Sequence, residues 1–299
     1  MRIPIVIACL GASAAWALGR LLGERGLLAS LFFYLPAPLI VLALAGSAWL
    51  LRRRPRLGLP LALLALLPLG ATIAEQRWTA PQLAAPGPGA ALSLLHWNVC
   101  RGYGGWGHIA AEIASGDPQL VILSEVMTPQ DGEKLAGLLP GLPYRQYAFP
   151  MLVLSRYPLS RIETIERSEE IKLYALDLEQ DGARWHFFAL DVAGSAQIPR
   201  EPALRRLSGA IAERRPDFLA GDFNTPRTSR LLTPPAAGYR HAYEIAGSGW
   251  SPTWPTLLPI LAIDHLFVRN DTSEVSAYEI ASSPWSDHRL QRAILRRRP

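Results

Sequence analysis

The chain has 299 residues, 49% of them hydrophobic, and a mean hydropathy of +0.13, which excludes a disordered or fibrous protein and raises the prospect of membrane segments. Its net charge of +5 is unevenly held: residues 1–80 carry eight Arg and two Glu, or +6, and the remainder, with 22 basic and 23 acidic residues, is −1. That balance counts against a domain-wide basic face for gripping long nucleic acid, and two cysteines, Cys9 and Cys100, exclude a disulfide framework or a Cys-based zinc site.

Three stretches lack any charged residue: 3–19, 26–51 and 57–74. Each approaches the ~20 residues with which a helix crosses a ~30 Å hydrocarbon core, so residues 1–78 are expected to form two to three transmembrane helices. Pro36, Pro38, Pro60 and Pro68 lie within these runs; the third, of 18 residues and with two prolines, is short for a span, and two spans remain open. The first run also fits a secretory signal, with Arg2 ahead of the apolar core and Ala15-Trp16-Ala17 as small residues for cleavage. The cluster Arg52, Arg53, Arg54 and Arg56 is expected on the cytoplasmic side, so three spans deliver everything after them outside the cytoplasm. Residues 79–90, rich in Pro, Gly and Ala, read as a stiff spacer.

From residue 91 the pattern changes to short apolar runs between turn residues. Runs at 92–99, 120–126, 151–155, 173–178, 186–192, 217–220, 263–268 and 293–295 predict strands, and 108–114, 130–139 and 202–215 predict helices. Residues 91–299 suffice for one well-packed α/β (α+β) domain. Neither Gly-x-Ser-x-Gly nor Gly-Lys-Ser/Thr occurs, which removes a serine-hydrolase or P-loop reading. Among the basic residues only Lys134 and Lys172 are lysines, and the sequence assigns them no role.

Polar groups collect where the apolar runs end: Asn98, Glu125, the Gly221-Asp222-Phe223-Asn224 block, Asp264 before His265, and Ser286-Asp287-His288. Carboxylates and amides at the exits of buried strands are costly unless a hard divalent cation and a phosphate compensate them. Taken alone, Asn98 reads as a strand-end cap and Asp222 and Asn224 as turn residues; taken in order they form a constellation.

This constellation resembles the endonuclease/exonuclease/phosphatase (DNase-I-like) superfamily, over roughly residues 92–295, and with apolar amino-terminal runs it is most similar to bacterial membrane-anchored members. The resemblance implies a four-layered α/β sandwich of two packed mixed sheets flanked by helices, with the active site at one end. It implies a phosphoesterase dependent on Mg²⁺ or Mn²⁺, most simply a nuclease-like phosphodiesterase. Glu125 then binds the metal with Asn98 beside it, and Asp287 is a further ligand. Asp222 activates water, Asn224 holds a phosphate oxygen, and His288, oriented by Asp264, binds phosphate or exchanges a proton.

One position departs from the family pattern. Where the strand 186–192 should bring a second active-site histidine stands Asp191, which cannot bind phosphate while ionised. It is a candidate second cation ligand, or a nearby Arg such as Arg200 supplies the charge, or activity has decayed. Trp250, Trp254 and Trp285 stack a base, contact lipid or simply pack. The expected partners are the lipid bilayer of a bacterial inner membrane, spanned more than once with the catalytic domain extracytoplasmic, and a phosphoester: nucleic acid, a phospholipid headgroup or a small phosphoester. A catalytically decayed, membrane-tethered binding module is the alternative, and no protein partner is predicted.

Overall fold

The structure, a computed structural model, describes residues 2–78, 91–232 and 238–298. It divides into two compact units, Met1–Arg77 with Thr228–Arg230, and Trp78–Arg227 with Leu231–Pro299. The expected spacer at 79–90 lies outside the described residues.

Among the described residues the first unit holds five helices: α1 (Arg2–Leu22), α2 (Leu27–Phe33), α3 (Ala37–Leu50), α4 (Pro55–Leu64) and α5 (Leu66–Ala74). Two stretches, Ile3–Leu22 and Pro55–Ala74, are long and apolar enough to cross a membrane, and the pair α2 and α3 makes a third if counted as one. The continuous run expected at 26–51 is instead bent by 68° between α2 and α3. Pro36 is the N-cap of α3; without an N–H, and with the α region disfavoured before Pro36 and Pro38, the chain cannot continue α2 straight into α3. Val6, Ile40, Leu44, Leu51, Leu61 and Ala65 pack together at the centre of this unit. Two of its buried hydroxyls turn back onto their own helices, Ser13 Oγ donating to Cys9 O at 2.7 Å and Thr72 Oγ1 to Pro68 O at 2.7 Å.

The second unit contains β1 (Ala91–Asn98), α6 (Trp106–Ser115), β2 (Leu120–Ser124), α7 (Pro129–Gly137), β3 (Tyr144–Ala148), β4 (Met151–Ser155), β5 (Glu163–Arg167), β6 (Ile171–Gln180), β7 (Ala183–Val192), α8 (Arg200–Arg214), β8 (Phe218–Asp222), β9 (Tyr239–His241), α9 (Ala242–Ala246), β10 (Asp264–Arg269), β11 (Ser273–Ala281) and β12 (Leu290–Arg297). They form two six-stranded sheets, in the orders β11-β12-β1-β2-β4-β3 and β5-β6-β7-β8-β10-β9. Among the described residues only β1 with β2 and β7 with β8 pair in parallel, each pair joined by a helix, α6 or α8, as a parallel crossover requires.

Side-chain alternation builds the layers. On β7, Trp185, Phe187 and Ala189 enter the core between the sheets with Phe218 and Ala220 of β8, while Phe188, Leu190 and Val192 face Ala203, Leu204, Leu207 and Ile211 of α8. On the other sheet Leu92, Leu94, Leu120 and Ile122 point inward, and Leu95, Trp97, Val121 and Leu123 pack outward under α6 and α7. The result is the expected four layers: helices, sheet, sheet, helix. The eight predicted strands and three predicted helices of this unit are all present, and β3, β5, β9, β11 and α9 are additional.

Candidate active site

The inner faces of both sheets are apolar along most of their length and turn polar at one end. Following the inward parity of β7 and β8 past Ala189 and Ala220 leads to Asp191 and Asp222, which are direct partners across the parallel pair. Antiparallel pairing then aligns Asp264 of β10 with Asp222 and Lys172 of β6 with Asp191. One row across four strands therefore reads Lys172, Asp191, Asp222, Asp264. Opposite it, the inward parity of β1 ends at Asn98, partnered with Ser124 of β2, and Glu125 follows directly.

The two sheets meet through Asn98. Its Nδ2 donates to Asp222 Oδ2 at 3.0 Å and to Glu125 Oε1 at 3.2 Å, and its Oδ1 accepts the Cys100 N–H at 3.0 Å. Arg101 Nε stands 3.5 Å from Glu125 Oε2. Backbone strain gathers here: Cys100 (φ 45°), Arg101 (φ 57°), Glu125 (φ 61°) and Asn224 (φ 47°) all adopt positive φ, a conformation that non-glycine residues hold only when their surroundings enforce it.

His288 is held from both sides. Ser286 Oγ donates to Asn98 O at 2.6 Å and accepts the His288 N–H at 3.1 Å, and Trp97 Nε1 donates to His288 O at 2.9 Å. Its ring meets Asp264 Oδ2 at 2.9 Å through Nδ1 and lies 3.9 Å from Asp222 Oδ2 through Nε2. Asp222, Asp264 and His288 thus offer ligand atoms within 4.8 Å of one another. Burial opposes charge on His288, but the Asp264 charge and hydrogen bond, then Asp222 and Asp287, outweigh it and lift the ring to about 10. Burial likewise disfavours ionised Asp264, yet His288 overcomes this and holds it below the usual carboxylate range. Asp222 is pushed well above that range by burial and by the Asp264 charge.

The remaining candidates join the same end. Asn224 donates its N–H to Asp222 Oδ1 at 2.8 Å and its Nδ2 to Val192 O at 2.8 Å. Exposed Asp287 accepts from Trp254 Nε1 at 3.0 Å and lies beside Cys100, whose thiol is raised to about 11 by burial and by Asp287. Half-buried Asp191 is raised to about 7 by burial and by the Glu125 charge, against the pull of Lys172. Arg200 donates to the Ser195 and Ile198 carbonyls at 2.5 and 2.7 Å; the cation in register with Asp191 is Lys172, whose Nζ donates to Ser168 O at 2.5 Å. No signal in the sequence marks Lys172, because its place depends on pairing with a residue 19 positions away.

His241 and His265 form a fully interior chain: Tyr243 N–H to His241 Nδ1 at 3.1 Å, His241 Nε2 to His265 Nδ1 at 3.0 Å, and His265 Nε2 to Thr225 O at 2.8 Å. His186 pairs with Asp177 at 2.9 Å, well down β7 from Asp191. Trp285 stacks on His108 with centroids 3.9 Å apart.

The donors at this end are carboxylates and an amide, and the Cys100 thiol stays protonated, a set suited to a hard divalent cation. Glu125, Asp191, Asp222, Asp264 and Asp287 outnumber the cationic groups Arg101, Lys172 and His288, so a divalent cation would also offset the local charge. Glu125 and Asp287, both beside Cys100, are the candidate ligands that lie outside the Asp222, Asp264 and His288 cluster.

A family model described as endonuclease/exonuclease/phosphatase family matches residues 95–288. Similar solved structures include D. rerio TDP2 complexed with single strand DNA product, at 16% identity over 69% of this chain and 99% of that one with a TM-score of 0.57. A family protein from Bacteroides thetaiotaomicron matches at 16% identity over 70% and 98%, TM-score 0.53, and one from Bacteroides vulgatus at 17% over 70% and 100%, TM-score 0.56. At such identities the likeness shows the fold. No curated protein matches the chain.

Proposed function

The chain belongs to the endonuclease/exonuclease/phosphatase family, and from that premise we propose that it is a divalent-metal-dependent phosphodiesterase anchored in a membrane. The observation that carries this reading is the convergence of Asn98 on Glu125 and Asp222, with the His288–Asp264 pair 3.9 Å from that same Asp222 oxygen.

Glu125 and Asp287 would hold Mg²⁺ or Mn²⁺, which supplies charge neutralisation of the phosphate and a more acidic bound water. Asn98 orients Glu125 and Asp222 through its two N–H bonds. Asp222, whose carboxylate is made more basic by burial, receives a proton from the attacking water at Oδ2. Asp264 fixes the His288 tautomer through Nδ1 and sustains the imidazolium, whose Nε2–H faces the phosphate oxygens and can protonate the leaving oxygen. Asn224 steadies Asp222 through its backbone N–H, and its Nδ2, which holds Val192 O with one N–H, has a second N–H for a phosphate oxygen. Lys172 supplies positive charge where Asp191 has none to give.

In this reading residues 1–78 form the membrane region, 79–90 the spacer and 91–299 the catalytic domain. The Arg52, Arg53, Arg54 and Arg56 cluster favours a cytoplasmic face for the loop between the second and third spans of a bacterial inner membrane, and an extracytoplasmic catalytic domain.

The test is hydrolysis of bis-p-nitrophenyl phosphate and of the monoester by the detergent-solubilised chain, with EDTA, Mg²⁺ or Mn²⁺, beside Asp222→Asn. Diester cleavage that needs metal and disappears in the variant supports the reading. No turnover by the folded chain with either metal overturns it in favour of a tethered binding module. A nucleic-acid substrate would show a steep loss of binding with added salt, which a small phosphoester would not.

A further inference from the structure

From Gly247 to Ile263 the chain carries no charged residue, and at its centre residues 254–261 read Trp-Pro-Thr-Leu-Leu-Pro-Ile-Leu. This segment is a closed turn. Trp254 pairs with Leu261, Ile260 N–H and Leu261 N–H both donate to Trp254 O at 2.9 Å, and Leu258 N–H donates to Pro255 O at 3.1 Å. At its tip Leu257 is 98% exposed and Leu258 57%. A single exposed leucine is ordinary, but two adjacent ones between prolines, on a charge-free turn with its backbone bonds closed, form a surface built to meet an apolar phase.

The turn is fastened to the candidate site. Trp254 Nε1 binds Asp287 Oδ2 at 3.0 Å, Thr256 N–H binds Asp287 O at 2.7 Å, and Thr253 Oγ1 accepts the Asp264 N–H at 3.3 Å. Arg289, next to His288, donates to the Trp250 and Pro252 carbonyls at 2.9 Å each. The exposed leucines therefore stand on the same framework as Asp264, Asp287 and His288.

The same chain holds helices long and apolar enough to cross a membrane, so hydrocarbon is the apolar phase within reach of this domain. The turn offers no charge for an acidic or basic partner, and the N–H groups of Thr256, Leu258, Ile260 and Leu261 are already bonded within the domain, which lowers the cost of entering a lipid interface.

We propose that residues 254–261 seat on the bilayer with Leu257 and Leu258 in its hydrocarbon edge, and that the site beside them takes the phosphodiester of a lipid headgroup. The substrate part rests on the phosphodiesterase reading above; the seating does not.

The full chain, with Cys9→Ser and Cys100→Ser, is reconstituted in vesicles of phosphatidylethanolamine and phosphatidylglycerol and labelled with nitrobenzoxadiazole at Leu257→Cys. The control is the same label at Asp181→Cys, in the exposed turn between β6 and β7, at the end of those strands away from Asp191. Severalfold stronger quenching by doxyl-lipids at 257 than at 181 is the expected result, and equal quenching overturns the seating. Separately, in the otherwise native chain, Leu257→Asp with Leu258→Asp should lower turnover of vesicle lipid phosphodiester about tenfold or more and leave soluble bis-p-nitrophenyl phosphate turnover unchanged. Equal effects on both substrates, or no lipid turnover by a chain that cleaves the soluble diester, overturn the lipid substrate. Strong quenching at 257 with neither diester cleaved overturns the phosphodiesterase reading, and the lipid substrate with it, while the seating stands.

Discussion

Lys172 and Asp191 face each other across the antiparallel β6 and β7, both on the inward side of the sheet and beside the Asp222–Asp264 pair. In the proposed reaction an ionised Asp191 would repel the incoming phosphate, and Lys172, its register partner, is the cation that would counter it. Lys172→Met is expected to lower kcat/KM on bis-p-nitrophenyl phosphate by about 10²-fold, the loss typical of one donor to a developing oxyanion, and Lys172→Arg to restore part of it. Asp191→Asn should be tolerated, with KM unchanged or lower. A collapse of activity in Asp191→Asn at every metal concentration would make Asp191 an essential ligand instead.

The pair His288 and Asp264 predicts a pH signature. Burial works against the imidazolium, but Asp264 dominates and sustains it up to about 10, so the protonated ring persists across neutral pH. Asp264→Asn removes the chief opposing charge and leaves burial to lower the ring. The alkaline limb of kcat/KM against pH should then move down toward the free-histidine range near ~6.5, with lower activity throughout. His288→Asn should cost about 10²–10⁴-fold with no such limb. An unmoved limb in Asp264→Asn would detach this histidine from the rate.

What the sequence reveals of the fold follows strand position. The interior strands β2, β4 and β8 are buried at every residue, so they appear as unbroken apolar runs. The four unanticipated strands, β3, β5, β9 and β11, are the four sheet edges. Edge strands carry exposed residues such as Tyr144, Arg145, Glu163 and Thr164, and β5 and β11 contain register shifts, so no clean period survives. The site was legible to the extent that a polar residue terminates an apolar run, as at Asn98, Asp222 and Asp264. Lys172 stands near the start of β6 between the buried Ile171 and Leu173 and acquires meaning only through the register with Asp191. The Leu257 turn, likewise, is unremarkable as sequence and notable only once its exposure is known.

Gly221 precedes Asp222 and is the register partner of Leu190 on β7. A Cβ there would lie 2.0 Å from Leu190 O and 2.8 Å from Leu190 C, and backbone cannot give way as a side chain would. Gly221→Ala is expected to destabilise the domain by about 3 kcal/mol, a fall of about 6–12 °C in Tm for a domain of this size. It should also displace Asp222 and depress hydrolysis. Tryptophan fluorescence during thermal unfolding measures the first effect, and an unchanged Tm would mean that the two strands separate freely here.

The buried His241–His265 chain predicts acid sensitivity of definite sign. Burial lowers His265 to about 4 and His241 well below its ordinary value, and the sequence of bonds from Tyr243 N–H to Thr225 O accommodates only neutral rings. Protonating His265 at Nδ1 would set its N–H against His241 Nε2–H, and protonating His241 at Nδ1 would set its N–H against Tyr243 N–H. The unfolded chain takes up these protons near pH ~6.5, so the stabilisation is complete above that value and is lost as pH falls from ~6.5 toward 4. The slope approaches ~1.4 kcal/mol per pH unit for each ring that remains neutral. Asp191 and Asp222, both raised, act in the opposite sense, so the comparison must be with a variant that changes one ring. His265→Gln can still donate to Thr225 O without titrating. The Tm gap between the native chain and His265→Gln should therefore narrow as pH falls from 7 to 4.5. A gap that stays constant over that range would show that His265 titrates alike in the folded and unfolded chains, and that the histidine chain does not hold the Asp222–Thr225 loop in the manner its hydrogen bonds require.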